Sequence, residues 1–167
     1  MLLIGGSGGS EPSYVGEALA AEGIAALSAA YFARPRLPVQ LRGIDLEYFF
    51  SAVELLKAEL RSLAVPIAVL GMSRGSEAAI LTATYLGSLV RGVVVTVPGN
   101  VVAGSWPPGG PAWLLDNRPL PYVDHPGPGS EDPDAFLPVE LVQGPVPADI
   151  SRCRPSLAVG CDGKSAF

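Results

Sequence analysis

The residues best suited to chemistry in this chain are Gly71-Met72-Ser73-Arg74-Gly75, a G-x-S-x-G run preceded by an apolar strand-like segment and followed by a helix-like one. A serine at the centre of such a strand-to-helix turn can serve as a nucleophile. Glycines two positions to either side let the backbone bend sharply without side-chain clashes. Ser73 is therefore the candidate nucleophile, with its hydroxyl raised above a sheet at the N-terminus of the following helix, where N–H groups and the helix dipole favour developing negative charge. The backbone N–H of Arg74 is one candidate oxyanion donor. The second is expected from an earlier strand-to-helix loop, and Gly5-Gly6-Ser7-Gly8-Gly9 has the required backbone freedom, which makes Gly6, Ser7 and Gly8 candidate oxyanion residues. Read alone, G-x-S-x-G also fits an ordinary turn; its flanking strand and helix favour the nucleophile. The glycine-rich loop could likewise cradle a phosphate, but its spacing does not reproduce the dinucleotide fingerprint and no Walker lysine follows it.

A serine hydrolase of this kind needs an acid and then a histidine downstream, in the order Ser, Asp or Glu, His. His125 is the only histidine in the chain and is the candidate base, although it comes early for that order and also suits a solvated loop. Asp116, Asp124, Glu131, Asp132 and Asp134 surround it and read as a solvated acidic loop. Cys153 and Cys161 are the only cysteines and follow neither a disulfide framework nor a metal-ligand spacing. No cofactor or metal is expected.

Positioning such a nucleophile requires a parallel sheet with helices on both faces, and the chain alternates strand-like and helix-like segments accordingly. Leu2 to Ile4 is read as a strand, followed by a helix between Pro12 and Gly23, and a strand from Ile24 to Ala30. After a Pro- and Arg-rich loop, Leu46, Phe49, Phe50, Val53, Leu56 and Leu60 recur at helical spacing. Ile67 to Leu70 is predicted as a strand, Ser76 to Leu86 as a helix, and Val93 to Val97 as a further buried strand of β-branched residues. From Pro98 to Pro138 the periodicity is lost, which predicts a long excursion above the sheet; Trp106 and Trp113 either line a substrate pocket there or pack as ordinary loop aromatics. The fold class is α/β, of the α/β-hydrolase type.

Composition narrows the function. At 167 residues the chain is the size of one domain, and its net charge of −5 includes no basic stripe for nucleic acid. Glycine and proline interrupt every apolar run before the roughly 18 to 20 residues a membrane span requires. The N-terminal Met-Leu-Leu-Ile-Gly-Gly lacks the basic region of a secretory signal, so cytoplasm is the expected compartment.

Three blocks in this order resemble the acyl-CoA thioester hydrolase and bile-acid-CoA:amino-acid N-acyltransferase family. They are Gly5-Gly6-Ser7-Gly8-Gly9; Ala30-Tyr31-Phe32 to Leu37-Pro38 with Leu46-Glu47-Tyr48-Phe49; and Gly71-Met72-Ser73-Arg74-Gly75-Ser76-Glu77. A looser likeness runs through Val93 to Val97 and on to Leu137-Pro138-Val139-Glu140. The resemblance implies hydrolysis of the thioester between a fatty or related acyl group and coenzyme A through an acyl-serine intermediate, with acyl-CoA as the small-molecule partner. Conjugating members of the family carry cysteine at the nucleophile position, so serine points to hydrolysis. A carboxylesterase of the dienelactone-hydrolase type and a noncatalytic acyl-binding remnant are the alternatives.

The resemblance also divides the chain into a partial catalytic domain, residues 1–146, and an atypical tail, residues 147–167. Beyond Val146 the family pattern implies a buried strand leading to the catalytic acid, whereas Pro147 to Pro155 is polar and proline-broken. A one-base shift of reading frame from Pro147 permits, through codon degeneracy, Leu-Leu-Ile-Ser, an Asp over the codon of Arg154, and Trp-Pro-Ser over Leu157 to Val159, which resembles that acid segment. On this reading the domain is truncated at its C-terminal end, its activity is very low, and an oligomer or a missing partner segment completes the fold.

Overall fold

The computed structural model describes residues 1–124 apart from Ser62 and Ala64. Four strands form a parallel sheet in the order β2-β1-β4-β5: β1 (Leu2–Ile4), β2 (Leu27–Ala29), β4 (Ala68–Met72) and β5 (Gly92–Thr96). Leu2 stands opposite Leu27 on one side and Val69 on the other, and Val69 in turn faces Val93. Parallel neighbours need crossover connections, and α1 (Ser13–Ala21), α2 (Glu47–Glu59) and α3 (Arg74–Leu86) supply them. The α/β class expected from the sequence is what the chain adopts.

Alternation along β1 shows which helix covers which face. Leu2 and Ile4 point into a core that includes Tyr31, Phe49, Val53, Leu56, Ala78 and Ala79, so α2 and α3 lie on that side. Leu3 points the other way, and a Cβ at Gly16 of α1 would lie 3.5 Å from its Cδ1 and 3.6 Å from Ser28 Oγ. All three β1 side chains are fully buried as a result. In α2, Phe49, Val53 and Leu56 form the buried stripe, with Glu47 in the first turn and Lys57 in the last, each favourable to the helix dipole.

The element boundaries differ from the sequence reading for local reasons. The strand expected from Ile24 begins only at Leu27, because Gly23 (φ +78°) ends α1 and the Ile24 N–H is used to cap it on Leu19 O at 2.9 Å. The long excursion after Pro98 is not without regular structure. Residues β3 (Ile44–Asp45), β6 (Trp113–Leu115) and β7 (Arg118–Pro119) form a second small sheet, with β3 parallel to β6 and β7 antiparallel to it. Asp116 and Asn117, at φ +51° and +59°, make the two-residue turn of that hairpin. Strands of two or three residues are too short to show a period.

A second correction concerns β5, expected as a buried strand. Val93 and Val95 are half-buried, Val94 is 45% exposed, and among the described residues β5 pairs only with β4. A β-branched run signals extended backbone, not the number of neighbours it has. Residues 125–167, including the domain boundary at Val146 and the tail, lie outside the described residues.

Candidate active site

The sheet reverses its direction of growth at β1: the chain steps outward to β2, then returns past β1 to β4. Open parallel sheets bind ligands beyond the carboxyl ends of their strands at such a switch point. The two loops that leave β1 and β4 there are Gly5–Ser10 and the turn at Ser73.

Ser73 has φ +52° and ψ −120°, a conformation that costs a non-glycine residue about 1–3 kcal/mol. The turn is held from several sides. Its N–H donates to Thr96 O at 2.8 Å, its carbonyl accepts from the Ser76 N–H at 2.8 Å, and the Ser76 hydroxyl lies 3.0 Å from Gly71 O and 3.1 Å from Thr96 O. Both flanking glycines are required sterically. A Cβ at Gly71 would lie 2.2 Å from Gly75 O, and one at Gly75 would lie 2.3 Å from Gly5 O and 2.4 Å from Ile4 O. The bend thus sets α3 directly on the end of β1. Residues 74–79 are buried while Ser73 is exposed.

The glycine-rich loop comes to meet the serine. A Cβ at Gly6 would stand 3.1 Å from Ser73 Cβ and 3.7 Å from its Oγ. Ser7 and Gly8 are exposed in the same loop, and the Gly9 N–H closes it on Gly6 O at 3.3 Å. Arg74 is the first residue of α3, where helical N–H groups have no partner within the helix. The expected nucleophile and both expected sources of oxyanion donors therefore lie together.

Comparison with known proteins bears on the chemistry. An acyl-coenzyme A amino acid N-acyltransferase 1 from Mus musculus is 36% identical over 77 residues, 46% of this chain and 18% of the relative. Acyl-coenzyme A thioesterase 1 from Mus musculus is 32% identical over 98 residues, 59% of this chain and 23% of the relative, and its Homo sapiens counterpart is 31% identical over 90 residues. The resemblance to this thioesterase and N-acyltransferase family is borne out. The chain spans about a fifth of the length of these relatives, and no protein-family model matches it.

The side chain of Arg74 does something its sequence position does not reveal. It turns inward, with Nη1 2.6 Å from Glu77 Oε1 and Nη2 donating to Ala103 O at 2.8 Å and Gly104 O at 2.7 Å. Glu77 Oε2 accepts from the Ala103 N–H at 3.1 Å and from Trp113 Nε1 at 3.0 Å. Burial pulls the guanidinium below its ordinary range, and the neighbouring Glu77 carboxylate opposes the shift. The i,i+3 spacing of Arg74 and Glu77 was visible in the sequence; their shared grip on Ala103 was not. Trp113 is 1% exposed and belongs to the core, so packing rather than pocket lining is its role, whereas Trp106 is 51% exposed.

Gly104 N–H donates to Val123 O and Val123 N–H to Val102 O, both at 2.8 Å, so the chain is fastened to the Arg74-held segment up to Val123. Asp116 and Asp124 are exposed, as expected for a solvated loop; the Asp116 N–H is bonded to Glu47 Oε1 at 2.7 Å. His125, Glu131, Asp132, Asp134, Cys153 and Cys161 lie outside the described residues. Among the described residues no group of His, Cys, Asp and Glu is placed to hold a metal ion, and no helix is long and apolar enough to cross a membrane.

Proposed function

We propose that this chain is a serine hydrolase of acyl-CoA thioesters acting through an acyl-Ser73 intermediate. The observation that carries the proposal is the strained turn of Ser73, exposed at the switch point with Gly6 beside it, in a chain similar to acyl-coenzyme A thioesterases. In this reading Ser73 Oγ attacks the thioester carbonyl as its proton passes to His125, the proposed base, and the oxyanion is received by the N–H of Arg74 and by N–H groups of the Gly6-Ser7-Gly8 loop. The carbon–sulfur bond then breaks, and coenzyme A leaves as a thiolate. An ordinary thiol has a pKa of about 8.5, so departure requires less help from a general acid than an amine or alkoxide would. His125, its proton passed to the departing thiolate, is again the base for the water that releases the acyl group in a second step.

Amide formation is the second reading, because acyl-coenzyme A amino acid N-acyltransferases are among the similar proteins. Serine at position 73, where the conjugating members carry cysteine, favours hydrolysis. The test is free-thiol release from a panel of acyl-CoA thioesters by purified protein, with and without an amino-acid acceptor and with Ser73→Ala as control. Thiol release lost in Ser73→Ala supports the proposal. Release that depends on the acceptor selects conjugation, turnover of oxygen esters alone selects a carboxylesterase, and binding without release selects an acyl-binding remnant. A cytoplasmic location is proposed from the sequence alone; two similar proteins, from Mus musculus and Rattus norvegicus, carry a mitochondrial designation.

A further inference from the structure

Two consecutive glycines cannot fix the orientation of the peptide between them, because neither restricts its own φ and ψ. An oxyanion loop built on Gly5 and Gly6 therefore needs an outside constraint. Tyr31, two residues beyond β2, provides one. Its hydroxyl donates to Gly5 O at 2.8 Å and lies 3.3 Å from Gly6 O. In a trans peptide the carbonyl and the N–H point in opposite directions. Holding the Gly5 carbonyl toward Tyr31 directs the Gly6 N–H to the opposite side of the loop, and holding the Gly6 carbonyl does the same for the Ser7 N–H. Gly6 is the residue that borders Ser73.

The constraint is itself rigid. Tyr31 is 2% exposed, and its ring meets Phe32, Phe49 and Trp113 at centroid distances of 5.0, 5.4 and 5.8 Å. Trp113 is bonded to Glu77 in α3, so the ring that holds the glycine loop is braced against the helix that carries the nucleophile. Burial, reinforced by the Glu77 charge and opposed by Arg74, pushes the phenol well above its ordinary value, so the hydroxyl remains a donor throughout the usual working range.

We propose that Tyr31 is a positioning residue for acyl transfer, holding the Gly5-Gly6 and Gly6-Ser7 peptides with their N–H groups toward the site where the oxyanion forms. The proposal rests on Ser73 being the nucleophile, and the experiment separates the two. The full chain is treated with a fluorophosphonate, which phosphonylates activated serines, and the rate of labelling is measured against probe concentration for the unmodified protein, Tyr31→Phe, Tyr48→Phe and Ser73→Ala. Tyr48→Phe is the matched control, because its hydroxyl also bonds a backbone carbonyl, Ala30 O, away from the glycine loop.

Tyr31→Phe is expected to lower the limiting rate constant about 10- to 100-fold, short of the full 10²–10³-fold effect of deleting an oxyanion donor, with half-saturation unchanged. Tyr48→Phe is expected to label like the unmodified protein. Labelling of Tyr31→Phe at the unmodified rate, or an equal loss in Tyr48→Phe, overturns the positioning role and leaves Ser73 standing. An unmodified protein that is not labelled at Ser73 overturns the nucleophile and the positioning role with it. Should Tyr31→Phe not fold, 15N relaxation of the unmodified protein decides: Gly6 and Ser7 amides as rigid as those of α3 support the proposal, and picosecond-to-nanosecond mobility there overturns it.

Discussion

Replacing Glu77 by alanine tests the buried network most directly. The Arg74–Glu77 pair has side chains only 10% and 7% exposed at a separation of 2.6 Å, and Glu77 also accepts the Ala103 and Trp113 N–H groups. Its removal leaves a buried guanidinium without its counter-ion, and the buried Trp113 and half-buried Ala103 N–H groups without this acceptor. Breaking one partner of a buried ion pair costs about 3–5 kcal/mol, a large share of the roughly 5–15 kcal/mol that holds a typical domain. For a chain of this size that corresponds to a fall in melting temperature of about 6–20 °C. Urea unfolding followed by tryptophan fluorescence measures it, since Trp113 reports on the network itself. Glu77→Gln keeps one acceptor oxygen and is expected to lose less, while Arg74→Met with Glu77→Leu removes both charges together and is expected to be milder than Glu77→Ala. A Glu77→Ala protein within 0.5 kcal/mol of the unmodified chain, or single substitutions at 74 and 77 whose effects simply add, would refute the coupling on which this reasoning depends.

Gly75→Ala places a Cβ against the Gly5 and Ile4 carbonyl oxygens, which are backbone and cannot rotate away; a loss of at least about 1–3 kcal/mol and of Ser73 labelling is expected, read by denaturation and probe kinetics. Ser73→Gly removes the strain of a positive φ, and since Ser73 makes no side-chain capping bond to α3, a gain of about 1 kcal/mol in stability is expected together with complete loss of thiol release. The raised Tyr31 pKa has a definite sign: the unfolded phenol ionises near pH 10 while the folded one does not, so its contribution is fully present below about pH 10 and is lost as pH rises above it. Melting curves between pH 9 and 11 should show an alkaline decline that is shallower in Tyr31→Phe, and an unchanged decline would refute the assignment.

The parts of the site that a reader of the sequence can find are those written in contiguous residues. Gly71 to Gly75 is legible because its motif is contiguous, although only Gly71 meets a steric condition set within the run, by the Gly75 carbonyl, while that of Gly75 is set by the Ile4 and Gly5 carbonyls. The loop Gly5–Gly9 is legible for the same reason. What joins the two is not local. Tyr31 reaches Gly5 from 26 positions away and Glu77 reaches Trp113 across 36, and both contacts depend on how β1, β2 and α3 pack. Nothing about Trp113 in isolation distinguishes a pocket wall from a core residue; its pairing through β6 with β3 does. The second sheet was hidden by strands shorter than one clear alternation, and the exposure of β5 by the fact that β-branching reports backbone preference and not neighbours.

The requirements of a serine nucleophile fall into two groups, those that shape the turn carrying it and those that move its proton. The constraints on Ser73 itself lie within the described residues: the strained turn, the glycine contacts that seat α3 on β1, the Gly6 loop beside the serine and the aromatic brace behind it. These constraints reinforce one another, which is the condition under which a strained φ persists. Both half-reactions of the proposed mechanism need a base, first for the Ser73 proton and then for water, and the described residues bring no histidine to Ser73. The two groups are therefore expected to respond differently to substitution. Changes at Tyr31 or Gly75 are expected to act through the oxyanion site and the seat of Ser73, whereas a change at His125, the proposed base, is expected to slow both the first thiol release and the turnovers that follow.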